Sequence, residues 1–430
     1  MHTRFSIGRW LAAVTLFVAL APTAHALPSF ARQTGEACTA CHIGGFGPQL
    51  TPHGQRFKIG GYTDWDGSSR WMPLSGQAIA GYTHTRKPYD EKGGNNGTRF
   101  NEGSIFAAGR VSDHVGGFVQ ATYDGIAHDW ALDHTDLRLV DTRTVAGNDL
   151  VYGVSFNNNP TVQDPFNTLS VWGFPYTSSA LAGSPAAASL IGGGRGLEHH
   201  VGGLSVYGFY NNSVYAEVGT YRTIAPRTQV ALGEGKDSDP GRLGDNAYWR
   251  LAYTQDLKKR AWSVGVFGMN GGLHPRGAFA ADQTAGNFHD IGVDGSYQYL
   301  GTREHIATLN TSYLHETASS LGSSGHLNEF KLNTSYFYRN TYGVTLGYFS
   351  TTGTAFGPYS ADPANPNSPN SRGYITELNW TPFGKEDSWL APWANVRVGL
   401  QYIGYQKFDG EGGSTARNNN TLFGYIWTAF

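Results

Sequence analysis

The sequence is poor in cysteine, in charged residues and in long hydrophobic runs. Only two of its 430 residues are cysteine, which excludes a disulfide-stabilised scaffold. Charged residues make up 15% of the chain, against ~25% in typical globular proteins. The formal net charge is −2, so the chain lacks the basic excess expected of a nucleic-acid-binding protein. A helical membrane bundle needs several apolar runs of ~20 residues, and this sequence has a single apolar run, at its N-terminus.

Glycine and aromatic residues are abundant instead. The chain contains 58 glycines, and 13% of its residues are aromatic, whereas glycine usually makes up ~7% of a protein. An aromatic content this high argues against disorder. The composition therefore favours a folded all-β protein outside the cytoplasm.

Residues 1–26 have the three-part layout of a secretory signal peptide. Two arginines precede the apolar run Trp10–Ala21, and the small-residue triplet Ala24-His25-Ala26 follows it. The apolar run is too short to span a membrane. The sequence therefore predicts export, with cleavage after the triplet.

Both cysteines, Cys38 and Cys41, stand in a Cys-x-x-Cys-His motif that ends at His42. This motif is typical of covalent c-type haem attachment, in which the thiols hold the porphyrin and the histidine binds the iron. A redox-active dithiol is expected on a βαβ pattern, and a structural zinc site needs four ligands. Neither context is present in the sequence, so we predict one covalent haem c with His42 as its proximal ligand.

The sequence leaves the second axial ligand of this haem open. One candidate is His53, in a short helix that we expect to be capped by Thr51 and to begin at Pro52. The other candidate is Met72, and a barrel residue or an open coordination position are the remaining alternatives. The predicted monohaem cytochrome c segment, 27–72, is too short to bury a haem unaided. The rest of the chain must therefore cover part of it.

Polar and apolar residues alternate in runs of about ten residues throughout 73–430, which is the signature of transmembrane β-strands. In one such run, Leu378 and Trp380 alternate with Glu377 and Asn379. Each run would direct its apolar side chains to lipid and its polar side chains to a lumen.

These runs predict a transmembrane outer-membrane β-barrel of about 16 antiparallel strands. Long and short connections alternate between the strands, as in barrels with long outer loops and short periplasmic turns. The longest connection, Asn157–His200, is a candidate for constricting the pore, and a disordered surface loop is the alternative. The predicted strands are 74–86, 99–111, 115–124, 133–143, 149–156, 201–210, 213–223, 246–257, 260–271, 287–300, 303–316, 328–338, 341–352, 372–381, 393–407 and 419–430.

Three stretches of the N-terminal region resemble the fused outer-membrane cytochrome–porins. These are Pro28–Gly35, the haem motif, and Leu50–Tyr62 apart from His53. That family joins one c-type haem to a sixteen-stranded barrel and includes outer-membrane iron oxidases of iron-oxidising bacteria. The resemblance implies that Cys38 and Cys41 attach the haem and that His42 ligates it.

The haem motif and the barrel together predict electron transfer across the outer membrane. The expected donor is extracellular Fe(II), and the expected acceptor is a periplasmic cytochrome c or copper protein. Such a protein would act as an Fe(II):cytochrome c oxidoreductase. The alternatives are a haem-plugged or redox-gated diffusion porin, and a conduit for a different extracellular donor or acceptor.

We expect the remaining polar residues of interest to have structural roles. Five charged residues are expected to line a wet channel, namely Arg110, Asp124, Arg138, Asp294 and Glu377. The adjacent His199 and His200 are interpreted as a solvent-facing loop pair rather than a metal site.

Overall fold

The computed structural model describes residues 27–67, 72–89, 94–193, 196–235, 239–277, 285–360 and 367–430. The predicted signal peptide lies outside these residues. No helix among the described residues has the length and apolar character needed to cross a membrane.

Eighteen β-strands in the described part of the chain form one antiparallel sheet. The sheet closes into a barrel because β1 pairs with β18, with Ala80 opposite Ile426. Sixteen strands are long, and β8 (Arg242–Leu243) and β17 (Glu411–Gly412) have two residues each. The long strands are β1 (Leu74–Thr85), β2 (Asn96–Arg110), β3 (Val115–Asp124), β4 (Trp130–Val145), β5 (Asn148–Asn157), β6 (Val201–Tyr210), β7 (Val214–Thr223), β9 (Ala247–Asp256), β10 (Arg260–His274), β11 (Gly286–Tyr299), β12 (His305–Ser320), β13 (Ser323–Tyr338), β14 (Tyr342–Gly353), β15 (Ser371–Trp380), β16 (Asn395–Phe408) and β18 (Thr421–Ala429).

The predicted sixteen-stranded barrel is confirmed, and the alternation of side chains explains it. On β15, Leu378 and Trp380 are 53% and 46% exposed, whereas Glu377 and Asn379 are 2% and 6% exposed. Apolar side chains thus face outward, toward lipid, and polar side chains face the lumen. A closed barrel satisfies every strand hydrogen bond internally, as a membrane interior requires. The chain is therefore an outer-membrane barrel.

One connection differs from the prediction. The sequence predicts a long loop over 317–327, but β12 and β13 extend until Ser320 pairs with Ser323. Only Leu321 and Gly322 remain in the turn, and both have positive φ, 50° and 79°. Tight hairpins favour this backbone because it matches the twist of the paired strands.

The N-terminal segment, 27–67, contains three short helices, α1 (Pro28–Thr34), α2 (Cys38–Cys41) and α3 (Pro52–Ile59). The predicted start of α3 is confirmed, because the Thr51 hydroxyl accepts a hydrogen bond from the Gly54 amide at 3.2 Å. Two further helices, α4 (Pro226–Ala231) and α5 (Gly413–Arg417), lie in outer loops.

Among the described residues, the protein itself occupies much of the lumen. The connection between β5 and β6, which we call the inserted loop (158–193 and 196–200), folds inward, as expected for a constriction. Its Asp164 pairs with Arg250 of β9 at 3.2 Å, and both side chains have no exposed surface. Arg138, Asp294 and Glu377 are also buried, at 1%, 6% and 2% exposure. The expectation that they line a wet channel is therefore wrong, since they contact buried groups instead of water.

Candidate functional site

A cavity of about 320 Å³ lies in the lumen between the N-terminal segment, the inserted loop and strands β1–β4 and β18. We call it the lumen cavity. Its volume falls within the ~300–1,000 Å³ of small-molecule and cofactor sites. Five polar side chains on the inner wall are Gln77, Glu102, Gln120, Asp133 and His134. The apolar and aromatic lining includes Leu27, Phe30, Phe46, Leu50, Phe57, Tyr62, Phe106, Phe118, Val171, Trp172, Tyr176 and Trp427.

The haem-motif residues meet this cavity. Cys41 and His42 line it, and Cys38 is buried one turn earlier, at the start of α2. Positions i and i+3 of a helix share a face, so the two thiols lie on the same side of α2. A c-type haem needs two neighbouring thiols and an imidazole beside one apolar pocket. Cys41 and His42 line such a pocket, and Cys38 lies one helical turn from Cys41.

The pKa values of the motif argue against thiolate chemistry. Burial, together with Glu36, Cys38 and Asp64, raises the pKa of the Cys41 thiol to about 12. Reactive and redox-active thiols have lowered pKa values instead. Burial also lowers the pKa of His42 to about 4, so its imidazole is neutral at pH 7, as a metal ligand must be.

The structure places His53 and Met72 away from the lining of the lumen cavity. The Nε2 atom of His53 lies 2.7 Å from Oε2 of Glu36, and His53 faces a second cavity that opens toward the short turns. Ligand atoms of Glu36, Cys41 and His53 lie within 4.8 Å of one another. Met72 is 43% exposed and precedes β1. The structure thus brings His53 close to Cys41, whereas Met72 lies at the surface.

Hydrogen bonds from the barrel wall hold the N-terminal segment in place. Gln298 of β11 donates to the Leu50 carbonyl at 2.8 Å, and Arg397 of β16 donates to the Phe46 carbonyl at 3.0 Å. Tyr207 of β6 donates to the carbonyl of Ile59, the last residue of α3, at 2.7 Å. Contacts from widely separated strands therefore fix the position of the haem motif.

Lys58 of α3 is a buried cation on the wall of the lumen cavity. Its ammonium donates to the Val162 carbonyl at 2.8 Å and to Oδ1 of Asn167 at 2.9 Å. It also lies 4.6 Å from the ring centroid of Trp172. Burial lowers the pKa of Lys58 to about 7, so its charge changes near neutral pH.

Two polar residues near the extracellular end of the lumen cavity were not predicted as site residues. Asp133 and His134 are adjacent in β4, and the pairing of β3 with β4 shifts register between Val119 and Ala121. A β-bulge of this kind re-aims side chains, and both residues line the lumen cavity. The signal available in the sequence is a run of four consecutive polar residues, 133–136, which breaks the alternation of β4.

His199 of the inserted loop lies against these two residues. Its Nε2 is 2.9 Å from Oδ1 of Asp133, and its ring centroid is 5.2 Å from that of His134. His199 is 24% exposed at its side chain and His200 is 8% exposed. The interpretation of this pair as solvent-facing is therefore wrong, because the inserted loop folds inward.

Comparisons with known proteins identify the architecture. OprB of Pseudomonas putida is 12% identical over 83% of this chain and 93% of its own, with a TM-score of 0.51. An anion-selective porin from Comamonas acidovorans is 13% identical over 83% and 98%, with a TM-score of 0.47. OmpF of Salmonella typhi is 12% identical over 83% and 97%, with a TM-score of 0.46. No protein-family model and no curated protein match the sequence.

Identities this low show a shared fold alone. The closed antiparallel barrel, its apolar exterior and the likeness to OprB agree on one architecture. The chain is an outer-membrane β-barrel of porin-like fold.

Proposed function

We propose that the protein binds one c-type haem in the lumen cavity and transfers electrons across the outer membrane. The observation that carries the proposal is that Cys41 and His42 line one largely apolar cavity inside a barrel. Cys38 and Cys41 would hold the haem through thioethers, and His42 would bind its iron. When bound, a c-type haem supplies reversible one-electron chemistry.

The chain's own residues position this group and limit its contact with water. Four aromatic residues pack together across the cavity wall and join the N-terminal segment to β2 and β3. They are Phe57, Tyr62, Phe106 and Phe118. Phe30 stacks on Tyr62 with ring centroids 5.2 Å apart. A buried, low-dielectric surrounding is one of the means by which a protein sets a haem potential.

Extracellular Fe(II) is the electron donor that we propose. Each Fe(II) ion gives up one electron and stays outside as Fe(III), and a periplasmic cytochrome c or copper protein accepts that electron. The filled lumen supports a conduit, because electrons do not need an open channel whereas solutes do. Keeping Fe(III) outside also keeps an insoluble product away from the periplasm.

A diffusion porin closed by its N-terminal segment is the second candidate. The porin-like barrel favours it, since porins of this size normally enclose an aqueous channel. The two candidates differ in what crosses the membrane, which is electrons in one case and solutes in the other.

Two measurements on the purified full-length protein test the proposal. Pyridine haemochrome spectra should show one covalent haem per chain, and its attachment should be lost in Cys38→Ala and Cys41→Ala. Rapid mixing with Fe(II) should then reduce the haem of the wild type. Absence of covalent haem refutes the cofactor, and haem that Fe(II) leaves oxidised at every pH from 3 to 7 refutes the donor.

A further inference from the structure

We infer that Asp133, His134 and His199 form a binding site for a divalent transition metal at the extracellular end of the lumen cavity. The inference rests on the proposed function in one respect, namely that the ion held there is the extracellular reductant Fe(II). The binding site itself follows from the positions of these side chains.

The three side chains converge on a single carboxylate oxygen. Nδ1 of His134 lies 3.2 Å and Nε2 of His199 lies 2.9 Å from Oδ1 of Asp133. All three ligand atoms lie within 4.8 Å of one another. Metal–nitrogen and metal–oxygen bonds are ~2.0–2.2 Å long, so one ion placed among these atoms reaches all three after small shifts.

The second oxygen of Asp133 is held by the barrel wall. Its Oδ2 accepts hydrogen bonds from Gln120 at 2.8 Å and from Thr122 at 2.7 Å. Trp172 packs edge-on against the ring of His134, with centroids 5.8 Å apart. Groups that orient the ligands in this way are a regular part of metal sites, and here they leave Oδ1 directed toward the two imidazoles.

Several polar atoms of this cluster are buried and lack hydrogen bonds from the described residues. They are Nδ1 of His134, Nε2 of His199 and Oε1 of Glu234. Nε2 of His199 contacts Asp133 as an ion-pair partner, 2.9 Å from Oδ1. Buried polar atoms normally have partners, and a metal ion at this position would supply one to both imidazoles.

The surrounding charge favours a cation. Carboxylate oxygens of Glu198 and Glu234 each lie 3.8 Å from a ring nitrogen of His199. Together with Asp133 they place three carboxylates around two imidazoles. An enclosed negative charge of this kind attracts cations from solution.

The site lies between the outside and the lumen cavity. His199 and Glu234 belong to connections at the outer end of the barrel, and the side chain of Glu198 is 43% exposed. Asp133 and His134 line the lumen cavity itself. An ion bound here would therefore be accessible from outside and adjacent to the cavity where we propose the haem.

The ligand set also suits iron. Two imidazoles and one carboxylate are the protein ligands of many non-haem Fe(II) centres. Zn²⁺ and Co²⁺ accept the same ligands, and Co²⁺ gives visible absorption bands that report its coordination. Co²⁺ alone is therefore the appropriate probe, since it can be titrated into the protein without changing the haem oxidation state.

The test compares Co²⁺ binding to the full-length holoprotein and to Asp133→Asn, His134→Gln and His199→Gln. Each variant should bind Co²⁺ at least tenfold more weakly and lose the absorption bands of the bound ion. The control is His114→Gln, because Nδ1 of His114 lies 3.9 Å from Oδ1 of Asp141 at an exposed periplasmic turn. It should bind as the wild type does. Wild-type binding by all three variants would overturn the site.

A second measurement separates this inference from the proposed function. The haem should be reduced by Fe(II) at least tenfold more slowly in His199→Gln, whereas reduction by dithionite should be unchanged. If Fe(II) reduces the wild type and every variant at equal rates, the site is refuted and the proposed function stands. If Co²⁺ binds as expected but Fe(II) never reduces the wild type, the metal site stands and the donor assignment fails.

His134 lines the lumen cavity, so a further measurement must distinguish a metal ligand from a ligand of the haem iron. A change of haem spin state in His134→Gln, with Co²⁺ binding retained, would overturn the metal site and assign His134 to the haem iron. Heat-modifiable migration on gels should show that the barrel of each variant is folded. His199→Gln keeps the test decisive if a strand variant fails to fold, because His199 lies outside the strands.

Discussion

The hydroxyl of Tyr62 donates a hydrogen bond of 2.7 Å to Oδ2 of Asp136. This contact joins the N-terminal segment to β4 on the inner wall of the barrel. The same carboxylate accepts hydrogen bonds from Arg138 and Ser155, each at 2.8 Å. Because the carboxylate and the guanidinium are fully buried, each group depends on the others for its hydrogen bonds.

Removing this hydroxyl should weaken the attachment of the N-terminal segment. Tyr62→Phe retains the ring that stacks on Phe30, and Asp136 keeps its other partners. We therefore expect the free energy of unfolding to fall by ~1.5–3 kcal/mol, the usual net contribution of a hydrogen bond to a charged group. Urea unfolding followed by circular dichroism should show a lower midpoint. Tyr82→Phe is the control, since its hydroxyl is exposed and donates to Asn96, and an equal fall in both variants would contradict the prediction.

Helix α3 packs so closely against the haem motif at Gly54 that a methyl group there should disrupt the packing. A Cβ at this position would lie 2.4 Å from the carbonyl oxygen of Cys41. Gly54→Ala must therefore separate α3 from α2, at a cost of ~1–3 kcal/mol typical of overpacking.

We expect less covalent haem per chain in Gly54→Ala, measured by pyridine haemochrome, together with a lower unfolding midpoint. Gly412→Ala is the matched control, because a Cβ there contacts nothing within 4 Å. Full haem incorporation and an unchanged midpoint in Gly54→Ala would show that the helices are not packed as described.

The strands were predictable from the sequence because each depends on its own residues. Leu378 and Glu377 have opposite preferences for lipid and lumen, so period-two alternation marks a strand without knowledge of its neighbours. The filling of the lumen was not predictable in this way. Arg397 and the Phe46 carbonyl are 351 residues apart, and a lumen-facing arginine gives the same sequence pattern whether water or protein surrounds it.

The proposed metal site was even harder to predict from the sequence, because it depends on a β-bulge and on the fold of a loop. The bulge in β4 turns both Asp133 and His134 inward, and only the fold of the inserted loop brings His199 against them. Neither event leaves a periodic pattern in the sequence. The haem motif was recognisable because its residues are adjacent in sequence, whereas the metal ligands come from distant positions.

The filled lumen predicts that the wild-type protein does not conduct solutes. Proteoliposomes should show no swelling with small sugars, because the N-terminal segment and the inserted loop occupy the barrel. A variant in which a short turn replaces 160–198 should become permeable, since sixteen strands enclose enough space for an aqueous channel. Swelling by the wild type at the rate of that variant would support the diffusion porin instead.

Lys58 predicts a pH dependence of the haem potential near neutrality. Below pH 7 its ammonium is charged, and a nearby positive charge favours the reduced haem, which carries one positive charge fewer. As the pH rises through about 7, the pKa of Lys58, the charge is lost and the potential should fall. The slope should stay below ~59 mV per pH unit, the limit for one proton per electron.

Spectroelectrochemical titration from pH 5 to pH 9 measures this effect. Lys58→Met should lack the fall near pH 7 and should hold the lower potential of the alkaline wild type throughout. The decisive quantity is the difference between the wild type and Lys58→Met, because that difference removes the contribution of other acidic groups that line the lumen cavity, such as Glu102. Lys87→Met makes the same substitution at an outer loop and should behave as the wild type. A difference that does not change with pH would mean that Lys58 keeps one charge state throughout this range.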